Sequence, residues 1–153
     1  MRIGPEPFDA PDAAALREEL RLDLLARYGR PDTEPGVKPT ADDIAVFLVA
    51  RGEDGAPLGC GALRLLDTAG EAELKRMFVR PAARGSGVAV ALLRALEDEA
   101  RARGVTRLLL ETGTAQPEAI RFYLREGYAE IPLFGGYVGS TLSRCFARAL
   151  PPR

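Results

Sequence analysis

The residues most suited to chemistry fall in one short run, Arg80-Pro81-Ala82-Ala83-Arg84-Gly85-Ser86-Gly87-Val88-Ala89, where a strand-like segment gives way to a long helical pattern. A helix start carries backbone N–H groups without intrahelical partners and the positive end of the helix dipole, and together these bind a phosphate. Gly85 and Gly87 allow the close backbone approach that such binding needs. A glycine turn that binds nothing is the plain alternative at this point. A P-loop would require Gly-Lys-Ser or Gly-Lys-Thr, which is missing. A dinucleotide fingerprint would place its third glycine where Val90 stands and would begin directly after the strand. Here Arg80 to Ala83 intervene, and Glu111 near the end of the next strand only superficially imitates the ribose-binding acid.

Histidine is absent, so His-based triads, His-ligated zinc and a histidine base are all excluded, and no metal is expected. Acid–base work falls to Glu, Asp, Tyr, Cys, Lys, the backbone or water. Cys60 and Cys145 stand far apart in apolar segments and read as buried small hydrophobes. Cys145 has no histidine to activate it as a nucleophile.

These residues need a scaffold, and the pattern supplies one. Leu16, Leu20, Leu24 and Tyr28 recur at helical spacing after Asp12, a candidate cap, and Gly29 offers a stop. Residues 30–43 read as an ordered loop bordering a cleft. Strands are expected at 1–3, 44–50, 58–66 and 72–79; in the last, Glu73, Lys75, Met77 and Val79 alternate against Leu74, Arg76 and Phe78. A helix follows from Val88 to Gly104, with Leu92, Leu96 and Ala100 on its apolar stripe and charges on the other side. Next come a strand at 105–112, a short helix between Pro117 and Gly127, a strand at 128–134, a loop at 135–140 and a final strand at 141–150. The helix between strands 72–79 and 105–112 implies that these two run parallel, while hairpins elsewhere make the sheet mixed.

The turn resembles the acetyl-CoA motif of the GNAT superfamily of N-acetyltransferases, which reads Gln or Arg, two residues, Gly, one residue, then Gly or Ala. Arg84, Gly87 and Ala89 meet it, preceded by Val79-x-Pro81. A second motif of the family, Asn-x-x-Ala-x-x-x-Tyr-x-x-x-Gly-Phe, is matched by Gln116, Ala119, Tyr123, Gly127 and Tyr128, with Gln and Tyr as the departures. The resemblance covers residues 1–150. It implies an α/β (mixed α+β) fold with a mostly antiparallel sheet, a splayed parallel strand pair and helices on both faces.

For activity, the resemblance implies acetyl transfer from acetyl-CoA to an amine in a ternary complex, with a non-catalytic acyl-CoA-binding module as the alternative. The pantetheine arm would pair with backbone groups of Met77, Phe78 and Val79. The pyrophosphate would sit over the N–H groups of Arg84, Gly85, Ser86, Gly87, Val88 and Ala89. Gln116 would give a cofactor hydrogen bond. Glu73 would take the amine proton, with Glu111 the second candidate, and Tyr123 would protonate the departing thiolate. Tyr28, Glu111 and Tyr137 would line the acceptor site, and a small-molecule amine is the expected acceptor.

Composition is consistent with that reading. A chain of 153 residues, 46% apolar and 28% charged, suits one globular domain spanning 1–153. A net charge of -1 argues against nucleic acid as a partner. No apolar run approaches a membrane span, and acids and prolines occupy the first twenty residues where a signal peptide would be apolar. A soluble, cytoplasmic protein with no membrane partner is therefore expected, and self-association into a homodimer through a sheet edge is compatible with the sequence.

Overall fold

The computed structural model describes residues 1–29 and 39–152, so most of the loop expected at 30–43 lies outside the described residues. The chain runs β1 (Arg2–Pro5), α1 (Pro11–Tyr28), β2 (Ile44–Arg51), β3 (Pro57–Leu65), β4 (Glu71–Val79), α2 (Val88–Ala102), β5 (Arg107–Gly113), α3 (Pro117–Arg125), β6 (Ala129–Ile131) and β7 (Ser143–Ala149). The described strands form one sheet in the order β1-β2-β3-β4-β5-β7-β6. Every neighbouring pair is antiparallel except β4 and β5, which run parallel. This is the mixed sheet with a parallel pair that the resemblance implied.

Helices cover both faces because each strand alternates its apolar residues between them. On one face Leu48, Leu63, Leu74, Leu108, Leu110 and Phe146 pack under α2 and α3, with Leu92, Leu96 and Ala100 fully buried. On the other, Ala13, Leu16 and Leu20 of α1 pack on Phe47, Val49, Cys60, Ala62 and Phe78. Side chains on β3 would hold α2 away: a Cβ on Gly61 would lie 2.6 Å from both Leu96 and Met77.

Three expectations change. Asp12 does not cap α1; it sits in the first turn, and its carboxylate accepts from Arg51 at 2.8 Å. The far side of α2 is not wholly solvated. Glu97 is 1% exposed and receives Arg94, Tyr128 and Arg148, binding α2 to the segment after α3 and to β7. The alternation along β4 also breaks. Lys75 pairs with Ala62 and Phe78 with Cys60, so Arg76 and Met77 together face Gly61. This is a bulge, with Arg76 held at φ 57. Beyond it the phase reverses: Phe78 joins the core beneath α1, and Met77 and Val79 pack toward α2.

Candidate active site

The parallel pair is short. Cα partners are Glu71 with Arg107, Ala72 with Leu108 and Glu73 with Leu109, and then the strands part. From Leu74 and Leu110 onward the facing edges of β4 and β5 have no strand between them. In the wedge lies an inner cavity of about 120 Å³, lined by Lys75, Met77, Glu111, Thr112, Gln116 and Tyr123, with Leu20, Leu24 and Tyr28 of α1 as its roof. It adjoins a larger cleft of about 380 Å³ that shares Leu20, Met77, Gln116, Ala119 and Tyr123. That cleft continues past Phe78 and Val79 to Arg84, Gly85, Gly87 and Ala89.

At the far end of the cleft, α2 starts without a side-chain cap. Gly87 is its N-cap residue at φ 87, and Gly85 has φ 78. The first N–H groups of α2 therefore have no side-chain acceptor, the condition for anion binding at a helix start. The turn itself is braced, since Ser86 Oγ donates to Ala83 O at 2.5 Å. Arg84 Nε donates to Val79 O at 2.9 Å, which folds the side chain back over the Phe78 ring. Val88 is buried, so only its backbone is available to a ligand. An uncapped helix start joined to a seam of unpaired strand edges fits an extended, amide-bearing ligand that ends in phosphates.

The sequence matches the acetyltransferase (GNAT) family over residues 13–128. The chain belongs to the GNAT family of acetyltransferases. Among relatives, the IAA acetyltransferase of Azospirillum brasilense is 47% identical over 97 residues, which span 63% of this chain and 63% of that protein. The aminoglycoside N(6')-acetyltransferase type 1 of Klebsiella aerogenes is 34% identical over 134 residues, 82% of this chain and 88% of that protein. A Klebsiella pneumoniae structure, assigned provisionally as an acyl-CoA N-acyltransferase, superposes with a TM-score of 0.81 at 31% identity over 97% of both chains.

Within this GNAT scaffold, Glu73 is 1% exposed and lies at the centre of a polar cluster. Arg64 Nη2 donates to its Oε1 at 2.8 Å, and the Tyr137 hydroxyl donates to its Oε2 at 2.5 Å. Lys75 Nζ donates to the Tyr137 oxygen at 2.9 Å and stands 3.8 Å from Glu73 Oε2. Glu73 and Tyr137 line a separate outer pocket with Asp42, Asp43 and Asp67, not the inner cavity. Sequence reading missed Arg64 and Lys75. Lys75 was legible as the next residue on the Glu73 face, whereas Arg64 is adjacent only through the β3–β4 register.

Tyr123 is buried, and its hydroxyl makes no hydrogen bond among the described residues. Burial raises its phenol above the ordinary value, so it stays protonated at neutral pH. Glu111 lines the inner cavity and accepts from Ser143 Oγ at 2.7 Å. Gln116 is the N-cap residue of α3 and lines both cavities, but its side chain makes no cap hydrogen bond. Tyr28 packs on Gly113, and its hydroxyl accepts from Ala115 N at 3.3 Å. Beside it, Arg27 pairs with Glu118, tying the end of α1 to the start of α3. Cys60 and Cys145 are free and buried. Burial pushes the Cys60 thiol up to about 12 and raises Cys145 as well, so both remain thiols.

Proposed function

We propose that this acetyltransferase moves an acetyl group from acetyl-CoA to the amine of a small molecule. The observation carrying the reading is the parting of β4 and β5 after Glu73 and Leu109, in line with the uncapped start of α2. Acetyl-CoA supplies the acyl group as an activated thioester. The chain binds and orients it: backbone groups of Met77, Phe78 and Val79 on the open edge of β4 pair with the arm. The Arg84 N–H already donates to Pro81 O at 3.2 Å, so the N–H groups from Gly85 through Ser86, Gly87 and Val88 to Ala89 hold the pyrophosphate, and Gln116 adds a side-chain amide at the junction of the two cavities. A backbone N–H beside the bulge at Arg76 stabilises charge growing on the thioester oxygen.

The acceptor amine sits in the inner cavity, between Glu111 and Tyr28. Glu73, which does not line that cavity, takes up its proton indirectly, and Tyr123 returns one to the leaving sulfur. The small-molecule acceptor is favoured by the aminoglycoside named for the Klebsiella aerogenes relative and by the modest size of the cavity. Among the described residues no helix is long and apolar enough to cross a membrane.

Calorimetric titration with acetyl-CoA, with NADH as control, tests the cofactor. Saturable binding of acetyl-CoA alone is expected, followed by CoA release when an amine panel is added. Equal binding of NADH, or no binding of either, would remove the reading.

A further inference from the structure

The hydrogen bonds about Glu73 form a chain with a direction. Lys75 Nζ donates to the Tyr137 oxygen at 2.9 Å, and the Tyr137 hydroxyl donates to Glu73 Oε2 at 2.5 Å. Of these three residues, Lys75 lines the inner cavity, while Tyr137 and Glu73 line the outer pocket. All three are nearly enclosed, at 5%, 3% and 1% exposure. Direct exchange between Lys75 and Glu73 is too long at 3.8 Å, so the tyrosine oxygen is the bridge.

We propose that Lys75, Tyr137 and Glu73 form a proton relay in which Lys75, not Glu73, meets the acceptor amine. The inference rests on the acetyltransferase reading above. Lys75 passes a proton to the Tyr137 oxygen as Tyr137 passes its own to Glu73. The neutral Lys75 amine then takes a proton from the acceptor ammonium. One N–H bond of the acceptor breaks and one O–H bond forms on Glu73, while Lys75 and Tyr137 end as they began. The stored proton leaves through the outer pocket.

The other ionisable groups near this chain, among the described residues, include Arg64 on β3, Arg76 on β4, Glu111 on β5, Cys145 on β7, and Tyr28 of α1 and Tyr123 of α3 in the inner cavity. Asp42, Asp43 and Asp67 stand around the outer pocket. Arg64, paired with Glu73 Oε1, holds that carboxylate so that Oε2 faces Tyr137.

Lys75→Arg separates a relay from a structural ion pair. Arginine keeps the positive charge and can donate to Tyr137, but it does not release a proton. With the fastest amine among spermidine, kanamycin, tryptamine and glycine, kcat should fall about 100-fold at pH 7 for Lys75→Arg and for Tyr137→Phe. KM for acetyl-CoA should stay within threefold, and the loss should shrink about tenfold per pH unit as the solution supplies free amine. A second readout needs no turnover. The chain has two lysines, Lys38 and Lys75, so ε-¹³C-lysine protein gives two NMR signals that Lys75→Arg assigns. The Lys75 signal should change its chemical shift in both Glu73→Gln and Tyr137→Phe, because each removes a group within reach of Nζ. Wild-type turnover with Lys75→Arg near full rate, or a Lys75 signal indifferent to Tyr137→Phe, overturns the relay alone. Absence of turnover with every amine removes the acetyltransferase reading and the relay together.

Discussion

Tyr123 illustrates what a single residue owes to its surroundings. Its ring packs edge-on against Phe122 and Tyr128, at 5.1 and 5.7 Å between centroids, so its position does not depend on its hydroxyl. Tyr123→Phe should therefore change stability by less than about 1 kcal/mol. As the proposed acid, it should lose roughly 10²-fold in kcat while acetyl-CoA binding is kept. Thermal melts, calorimetry and CoA-release kinetics on one preparation check all three; an unchanged kcat would leave the sulfur to be protonated by water. Tyr123 was legible as a position because the family motif that carries it, from Ala119 to Gly127, is local to α3 and the turn after it. Glu73 was legible only as a position: its partners come from β3 and from the turn at Gly135–Tyr137, distances that no local pattern reports.

At the scale of elements, the strand and helix sequence could be read almost throughout, because apolar periodicity and glycine stops are local signals. The bulge in β4 could not. Nothing in Lys75-Arg76-Met77 marks an extra residue; the cause is the facing Gly61, whose lack of a side chain lets Met77 and Leu96 close over it. The turn before α2 was legible and is open to a clean test. No atom lies within 4 Å of a Cβ placed on Gly87, so an alanine there meets no clash, only the left-handed backbone at φ 87. Gly87→Ala should cost about 1–2 kcal/mol. If the turn relaxes to avoid that cost, the N–H groups move off the phosphate, and acetyl-CoA affinity should fall at least tenfold. Chemical denaturation measures the first effect and calorimetry the second. Full affinity in a destabilised variant would show that this helix start does not hold the pyrophosphate.

For the molecule as a whole, the buried protonated groups set an alkaline limit. Cys60, held up to about 12 in the fold, ionises near the ordinary thiol value once unfolded. Its contribution is complete below about pH 9 and declines as pH rises toward 12, by at most about 1.4 kcal/mol per pH unit. Tyr123 and Tyr128, both raised by burial, add to the decline above about pH 10. Denaturant midpoints should thus fall from pH 8 to pH 10.5, and Cys60→Ala should flatten the first part of that slope; parallel slopes would count against it. The seam between β4 and β5 has a consequence of another kind. A sheet ordinarily gains cooperativity because each strand is zipped to the next, and here the zipper stops after three residue pairs. On the proposed reading, a ligand lying in the seam acts as the missing strand, and its occupancy adds about 2.7 kcal/mol at a hundredfold excess over Kd. Amide hydrogens along Leu74–Phe78 and Leu110–Gly113 would then exchange slowly only while the slot is filled. The chain's lifetime in a cell would follow the supply of its own donor, linking turnover of the protein to the metabolism it serves.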